Sequence, residues 1–161
     1  MSRISAMMLV LSPLAVRADE EIPLDKAPAA AVKAMKTKYP KAAVKKVEKE
    51  DDDGKTVIEF TLHDGKKTIE AEFTPEGKLV KEEAEVGELD VPKVVMAAFR
   101  MRYPNAAPTK MERVTKGEGT EAKITFEFDI QDGGKECEVF FAADGAFVEK
   151  KESKPAKSVK K

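Results

Sequence analysis

Tryptophan is absent from this chain of 161 residues, tyrosine occurs twice, and there is a single cysteine and a single histidine. Each shortage removes a class of explanation. One cysteine forms no internal disulfide, so the fold must be held by packing. Cys137 falls where Ile69 stands in a second copy of the same pattern, and it reads as a small apolar core residue. One histidine leaves His63 as the sole imidazole, whereas nucleophilic catalysis needs a base and an orienting partner in addition to the nucleophile. Serine is scarce beyond residue 18, and no Gly-x-Ser-x-Gly elbow occurs. Aspartate and glutamate are abundant, but they fall mainly at outward strand positions, where a solvated face is the simpler reading. The chain is expected not to be an enzyme and to need no cofactor.

A long apolar run is also missing. Arg3, a mostly apolar stretch from Ile4 to Val16, and Val16-Arg17-Ala18 before Asp19-Glu20-Glu21 have the layout of a secretory signal peptide over residues 1–18. The stretch is short for a membrane span and is interrupted by Ser12-Pro13. An uncleaved anchor is the competing reading. The expectation is a periplasmic or secreted protein with no membrane span once the signal is removed. Without that segment, 27 basic residues face 30 acidic ones. So balanced a surface gives no footprint for nucleic acid.

What is present is a repeat. Tyr39-Pro40-Lys41-Ala42-Ala43 returns as Tyr103-Pro104-Asn105-Ala106-Ala107, 64 residues later. Pro28, Ala31 and Met35 align with Pro92, Val95 and Phe99 at the same spacing. Ile58, Phe60, Leu62 and Phe73 align with Phe126, Phe128, Ile130 and Phe141 at a spacing of 68. The four-residue shift falls where Asp51-Asp52-Asp53-Gly54 becomes the longer run from Thr115 to Thr120, and loops absorb insertions. A repeat settles the architecture before any single residue is weighed.

Each copy opens on a helix. Asp25 and Asp90 are plausible N-caps, Pro28 and Pro92 fit the first turn, and apolar residues then recur every four positions up to the tyrosine. Pro40 and Pro104 end the helix. Period-two patterns follow, with Ile58, Phe60 and Leu62, or Phe126, Phe128 and Ile130, on one face. Asp64-Gly65 and Asp132-Gly133 supply hairpin turns. The return strands place Ile69, Ala71 and Phe73, or Cys137, Val139 and Phe141, on that face. A last short strand lies near Leu79-Val80 or Phe147-Val148. The expected class is α+β, a tandem repeat of one α-helix packed on a four-stranded antiparallel sheet. Residues 22–84 and 88–150 form the two modules, Glu82 to Glu88 an acidic connection, and residues 151–161 a disordered basic tail.

These residues resemble a known pattern. Lys38-Tyr39-Pro40-x-Ala42, Asp64-Gly65-Lys66, Ile69-Glu70-Ala71-Glu72-Phe73 and Gly77-Lys78-Leu79 are similar to the PepSY-like, β-lactamase-inhibitor-like family of exported bacterial proteins. The resemblance covers residues 24–83 and 89–150. It implies the tandem helix-and-sheet architecture and an activity of protein binding or inhibition of an exported enzyme. Val47 and Met111 stand where such repeats often carry a Trp, and no inhibitory loop maps residue by residue.

The places where the copies differ are the candidate sites. Phe140 takes the outward position that Glu72 holds in copy one, and an outward aromatic on a sheet is an anchor for a partner. The hairpin tips His63-Asp64 and Gln131-Asp132 are further partner-binding candidates. The expected function is an exported, non-enzymatic module that binds an unidentified exported or envelope protein, inhibition of a periplasmic or extracellular enzyme being one form of such binding. The alternative is a calcium-responsive envelope protein. Its ligands would be Asp51, Asp52 and Asp53 in the turn ending at Gly54, a run that lacks the spaced ligands of an EF-hand loop. No metal is expected on the first reading.

Overall fold

Nine strands follow one another in chain order through one antiparallel sheet in the computed structural model, which describes residues 20–52 and 54–152. They are β1 (Glu20–Glu21), β2 (Ala43–Asp52), β3 (Lys55–Asp64), β4 (Lys67–Phe73), β5 (Leu79–Glu85), β6 (Lys110–Lys116), β7 (Lys123–Asp132), β8 (Lys135–Ala142) and β9 (Phe147–Glu152). Helix α1 (Ala29–Lys38) precedes β2 and helix α2 (Lys93–Arg102) precedes β6. The expected signal segment 1–18, Asp53 and the last nine residues of the tail lie outside the described residues. Lys151 and Glu152, assigned to the tail from sequence, are the end of β9.

The expected α+β class with two separate four-stranded sheets is overturned. The fold is mostly β, a single nine-stranded sheet with two short helices. The reason is the pairing of β5 with β6, in which Glu82 faces Thr115 and Glu85 faces Glu112. A separate four-stranded sheet would leave each of these strands with a row of unmet backbone donors and acceptors. The acidic stretch that reads as a connection from Glu82 is in fact the second half of β5.

Both helices lie on the same face. Ala31 and Met35 of α1 pack with Phe60, Leu62 and Phe73, while Val95, Met96 and Phe99 of α2 pack with Phe128, Ile130 and Phe141. Position 35 in the repeat is Met and its counterpart is Phe99, which stacks on Phe128 with ring centroids 4.4 Å apart. Phe141 meets both rings edge-on. Pro28 and Pro92 are themselves the N-caps. Asp90 instead closes the turn before α2, its Oδ2 accepting from the Gly87 N–H at 3.3 Å. Tyr39 and Tyr103 cap the C-termini, each donating its N–H to the residue four back at 2.8 Å.

The seam between the halves is polar on the helix face. Glu82 is buried there. It accepts the Tyr39 hydroxyl at one oxygen, with Lys38 at 3.3 Å, and Arg113 of β6 at the other, also at 3.3 Å. Burial disfavours its charge, but the Tyr39 hydrogen bond and the two cations prevail and hold its carboxyl below the usual range. Burial, then Glu82, pushes the Tyr39 phenol well up.

Gly77 and Gly145, in the β4–β5 and β8–β9 turns, sit under the two helices with φ of +89° and +88°. A Cβ on Gly77 would lie 2.7 Å from the Ala30 carbonyl oxygen, and one on Gly145 3.0 Å from that of Val94. Gly77→Ala and Gly145→Ala are therefore expected to cost about 1–3 kcal/mol each. Gly65→Ala, at φ +64° with nothing within 4 Å of the new atom, should cost less. Urea denaturation of the three variants measures this, and equal losses would show that the helices give way.

Candidate functional site

Neither α-helix packs on the opposite face of the sheet, and alternation along the strands sends most of their polar residues there. Its rows read directly from the register. Glu59 of β3 faces Glu48 of β2 and Glu72 of β4, and Glu72 faces Lys81 of β5. In the second half, Glu127 of β7 faces Glu112 of β6 and Phe140 of β8, and Phe140 faces Glu149 of β9. These are equivalent rows of the repeat, so the substitutions Glu72 to Phe140 and Lys81 to Glu149 can be compared in place.

In the first half several of these carboxylates are paired with lysines. Lys81 lies 3.4 Å from Glu72 and 2.7 Å from Glu83, and Lys46 lies 2.7 Å from Glu48. Burial would lower the Lys81 pKa, but Glu83 and Glu72 outweigh it and raise it. In the second half the corresponding ammonium is missing, since Glu149 occupies its position, and an aromatic ring stands where the first half has a carboxylate. Glu127 is 7% exposed. Burial, with Glu83, Glu112, Glu138 and Asp129 nearby, pushes its carboxyl up to about 8. Glu112, Asp129 and Glu138 are raised too, in each case by burial first. Asp129 Oδ1 is buried with no hydrogen-bond partner among the described residues.

Phe140 lies on the outward face. The register puts it there, but it is only 8% exposed, because β9 and its lysine cover it. The Lys151 ammonium sits 4.8 Å from the ring centroid. The ring lines a cleft of about 610 Å³ whose walls also include Val114, Val148, Lys123, Glu127 and Glu138. Val148 is the extra residue of a β-bulge, since Phe140 pairs with Glu149 but Phe141 with Phe147. Such a bulge re-aims side chains locally. The outward aromatic is thus part of a cleft with charges of both signs.

The hairpin candidates are exposed and stand apart from that cleft's walls. His63 and Asp64 end β3, Gln131 and Asp132 end β7, and these strands run in the same direction, so the two pairs occupy one end of the sheet. Asp132 pairs with Lys150 at 2.6 Å. At the other end, Asp51 Oδ1 accepts the Gly54 N–H at 2.7 Å, a local turn contact. Asp53 and the Asp52 side chain are outside the described residues. What sequence reasoning missed is the carboxylate crowding around Glu127. Alternation predicts that glutamates point outward, but only strand register places them opposite one another.

Among the described residues no helix is long and apolar enough to cross a membrane. The profile of the family described as "Putative beta-lactamase-inhibitor-like, PepSY-like" matches residues 16–81 and 56–149. Three solved structures share the fold. A BLIP-like protein from Bacteroides fragilis is 17% identical with a TM-score of 0.61, covering 81% of this chain and 89% of that one. A DUF2874 family protein from Bacteroides ovatus is 22% identical with a TM-score of 0.58, covering 80% and 89%. A protein from Bacteroides eggerthii, described as a "putative periplasmic" protein, is 18% identical with a TM-score of 0.62, covering 78% and 88%. No curated protein matches the chain.

Glu127 makes a pH prediction with a definite sign. Its folded-state pKa of about 8 lies above the ordinary glutamate value of 4.5. Between these values the folded chain holds a proton that the unfolded chain has released, so its contribution to stability is complete below pH 4.5 and is lost as pH rises toward 8. Stability should fall across that window, and Glu127→Gln should flatten the fall. Chemical denaturation at a series of pH values is the measurement, and an unchanged slope in the variant would assign the effect elsewhere.

Proposed function

Because the chain belongs to the β-lactamase-inhibitor-like, PepSY-like family, we propose that it is an exported, non-enzymatic module that binds an exported or envelope protein through the open sheet face, acting as an inhibitor of a periplasmic or extracellular enzyme. The observation that carries this reading is the cleft around Phe140. A large ring at its floor, with lysines and glutamates at its rim, has the anatomy of a protein contact, an apolar centre within a polar border. The BLIP-like and periplasmic descriptions of two structural neighbours support the inhibitor role and the exported location. The tips at His63, Asp64, Gln131 and Asp132 would extend the contact along one end of the sheet.

A second reading has its own observation. Glu48, Glu50 and Glu59 bring carboxylate oxygens within 4.8 Å of one another near the Asp51-Gly54 turn, and hard cations take several oxygen ligands. It makes the chain a calcium-responsive envelope protein, and the two readings separate by experiment. The tethered protein is incubated with an envelope extract and retained proteins are quantified by mass spectrometry. Phe140→Ala should reduce retention of the specific partner about tenfold, the loss of a modest hot spot, and paired substitutions at the two hairpin tips should weaken it further. Retention indifferent to Phe140 would overturn the binding reading. A calcium-dependent rise in Tm, abolished when Asp51, Asp52 and Asp53 are all changed to Ala, would favour the second reading, and a flat titration would remove it.

A further inference from the structure

The helix side of the sheet differs in charge from the open face. Helix α1 carries Lys33, Lys36 and Lys38, helix α2 carries Lys93, Arg100 and Arg102, and neither contains an acidic residue. Lys38 and Arg100 are paired with Glu82 and Glu88. In the adjoining turns, Asp25, Glu76, Glu118 and Asp144 stand against Lys26, Lys41 and Lys78. The balance on this side is therefore positive.

Helix α2 adds an apolar stripe. Val94, Ala97 and Met101 follow the spacing that gathers residues on one side of a helix, and it is the side away from the buried Val95, Met96 and Phe99. Met101 is 83% exposed, and Leu89, in the turn that Glu88 ties to Arg100, is fully exposed. In the first copy the equivalent positions of Leu89, Val94, Ala97 and Met101 are Asp25, Ala30, Lys33 and Thr37. The stripe belongs to the second half alone. Lys93 and Arg100 flank it on one side and Arg102 on the other.

We propose that the helix side, led by the α2 stripe and Leu89, docks on an anionic lipid membrane, the apolar side chains entering the headgroup boundary and the cations meeting lipid phosphates. An amphipathic helix lies in such an interface when apolar insertion is joined to flanking cations. Two other occupants fit less well. A second copy would set the cations beside one stripe against those beside the other. A protein partner would need a complementary hollow for each side chain, whereas a fluid interface receives a convex helix without one. Docked in this way, the chain turns Phe140 and the open face away from the lipid, because they lie across the sheet from the helices. The docking does not rest on the protein-binding reading.

The chain has no tryptophan, so a single introduced Trp reports on one position. In the full chain carrying Ala97→Trp, vesicles of phosphatidylglycerol and phosphatidylcholine in equal parts should shift the emission to the blue, and phosphatidylcholine vesicles should not. Val148→Trp, in the cleft of the open face, should shift with neither. Adding Leu89→Ser and Met101→Thr to the Ala97→Trp chain should raise the lipid concentration at half-shift about tenfold, through lost apolar insertion. Adding Lys33→Gln, Lys36→Gln and Lys93→Gln instead should raise it about fivefold for each charge, and high salt should act in the same direction. No shift at Ala97→Trp, an equal shift on neutral vesicles, or a midpoint indifferent to both sets of substitutions would overturn the proposal. A shift that grows with protein concentration without lipid would also overturn it, assigning the stripe to a second copy. Partner capture through Phe140 reads the other face, so the two ideas fail separately.

Discussion

Pairing of β5 with β6 is the constraint on which the rest of the molecule depends. Each half contains a helix and four repeated strands, with β1 added at the edge of the first, and each could bury one apolar face by itself. Joining Glu82–Glu85 to Glu112–Thr115 satisfies two rows of backbone groups at once and makes the two faces continuous across nine strands. One consequence is on the helix side, where Glu82 is drawn into a buried seam and must be matched by Tyr39, Lys38 and Arg113. The other is on the open side, where the carboxylates of both halves come within reach of one another.

The repeat makes the second consequence intelligible. In the first half Lys81 stands between Glu72 and Glu83. In the second half Glu149 and Phe140 occupy the equivalent places, which removes a cation and adds a desolvating ring beside Glu127. The helix face diverges in another way, with Met35 replaced by Phe99 and a stack of aromatic rings in its place. One half has kept Lys81 between two glutamates. The other has exchanged paired charge for a cleft, a covered aromatic and carboxyls whose pKa values are raised by burial and by one another.

Much of the fold is legible in the sequence, for reasons that are local. Period-two runs around Phe60 and Phe128, Asp-Gly turns and proline-terminated helices are set by residues close together in the chain, and the structure contains them all. The position of Phe140 on the outer face follows from alternation alone. Its burial does not, because β9, the bulge at Val148 and Lys151 are what cover it. The stretch from Glu82 was misread because four acidic residues among the seven from Glu82 to Glu88 look like a linker. Nothing local reveals that Arg113 waits opposite, or that a strand edge 30 residues away needs a partner.

The sequence by itself determined the repeat, the order of helices and strands, the apolar set of each half and the two ends at which the turns gather. All of these depend on steric and hydrophobic preferences within a few residues. Only the tertiary structure decided that the halves share one sheet, which carboxylates oppose one another, and that Glu83, Glu112, Glu138 and Asp129 crowd Glu127. Those outcomes depend on register between distant strands, where a shift of one residue exchanges the two faces.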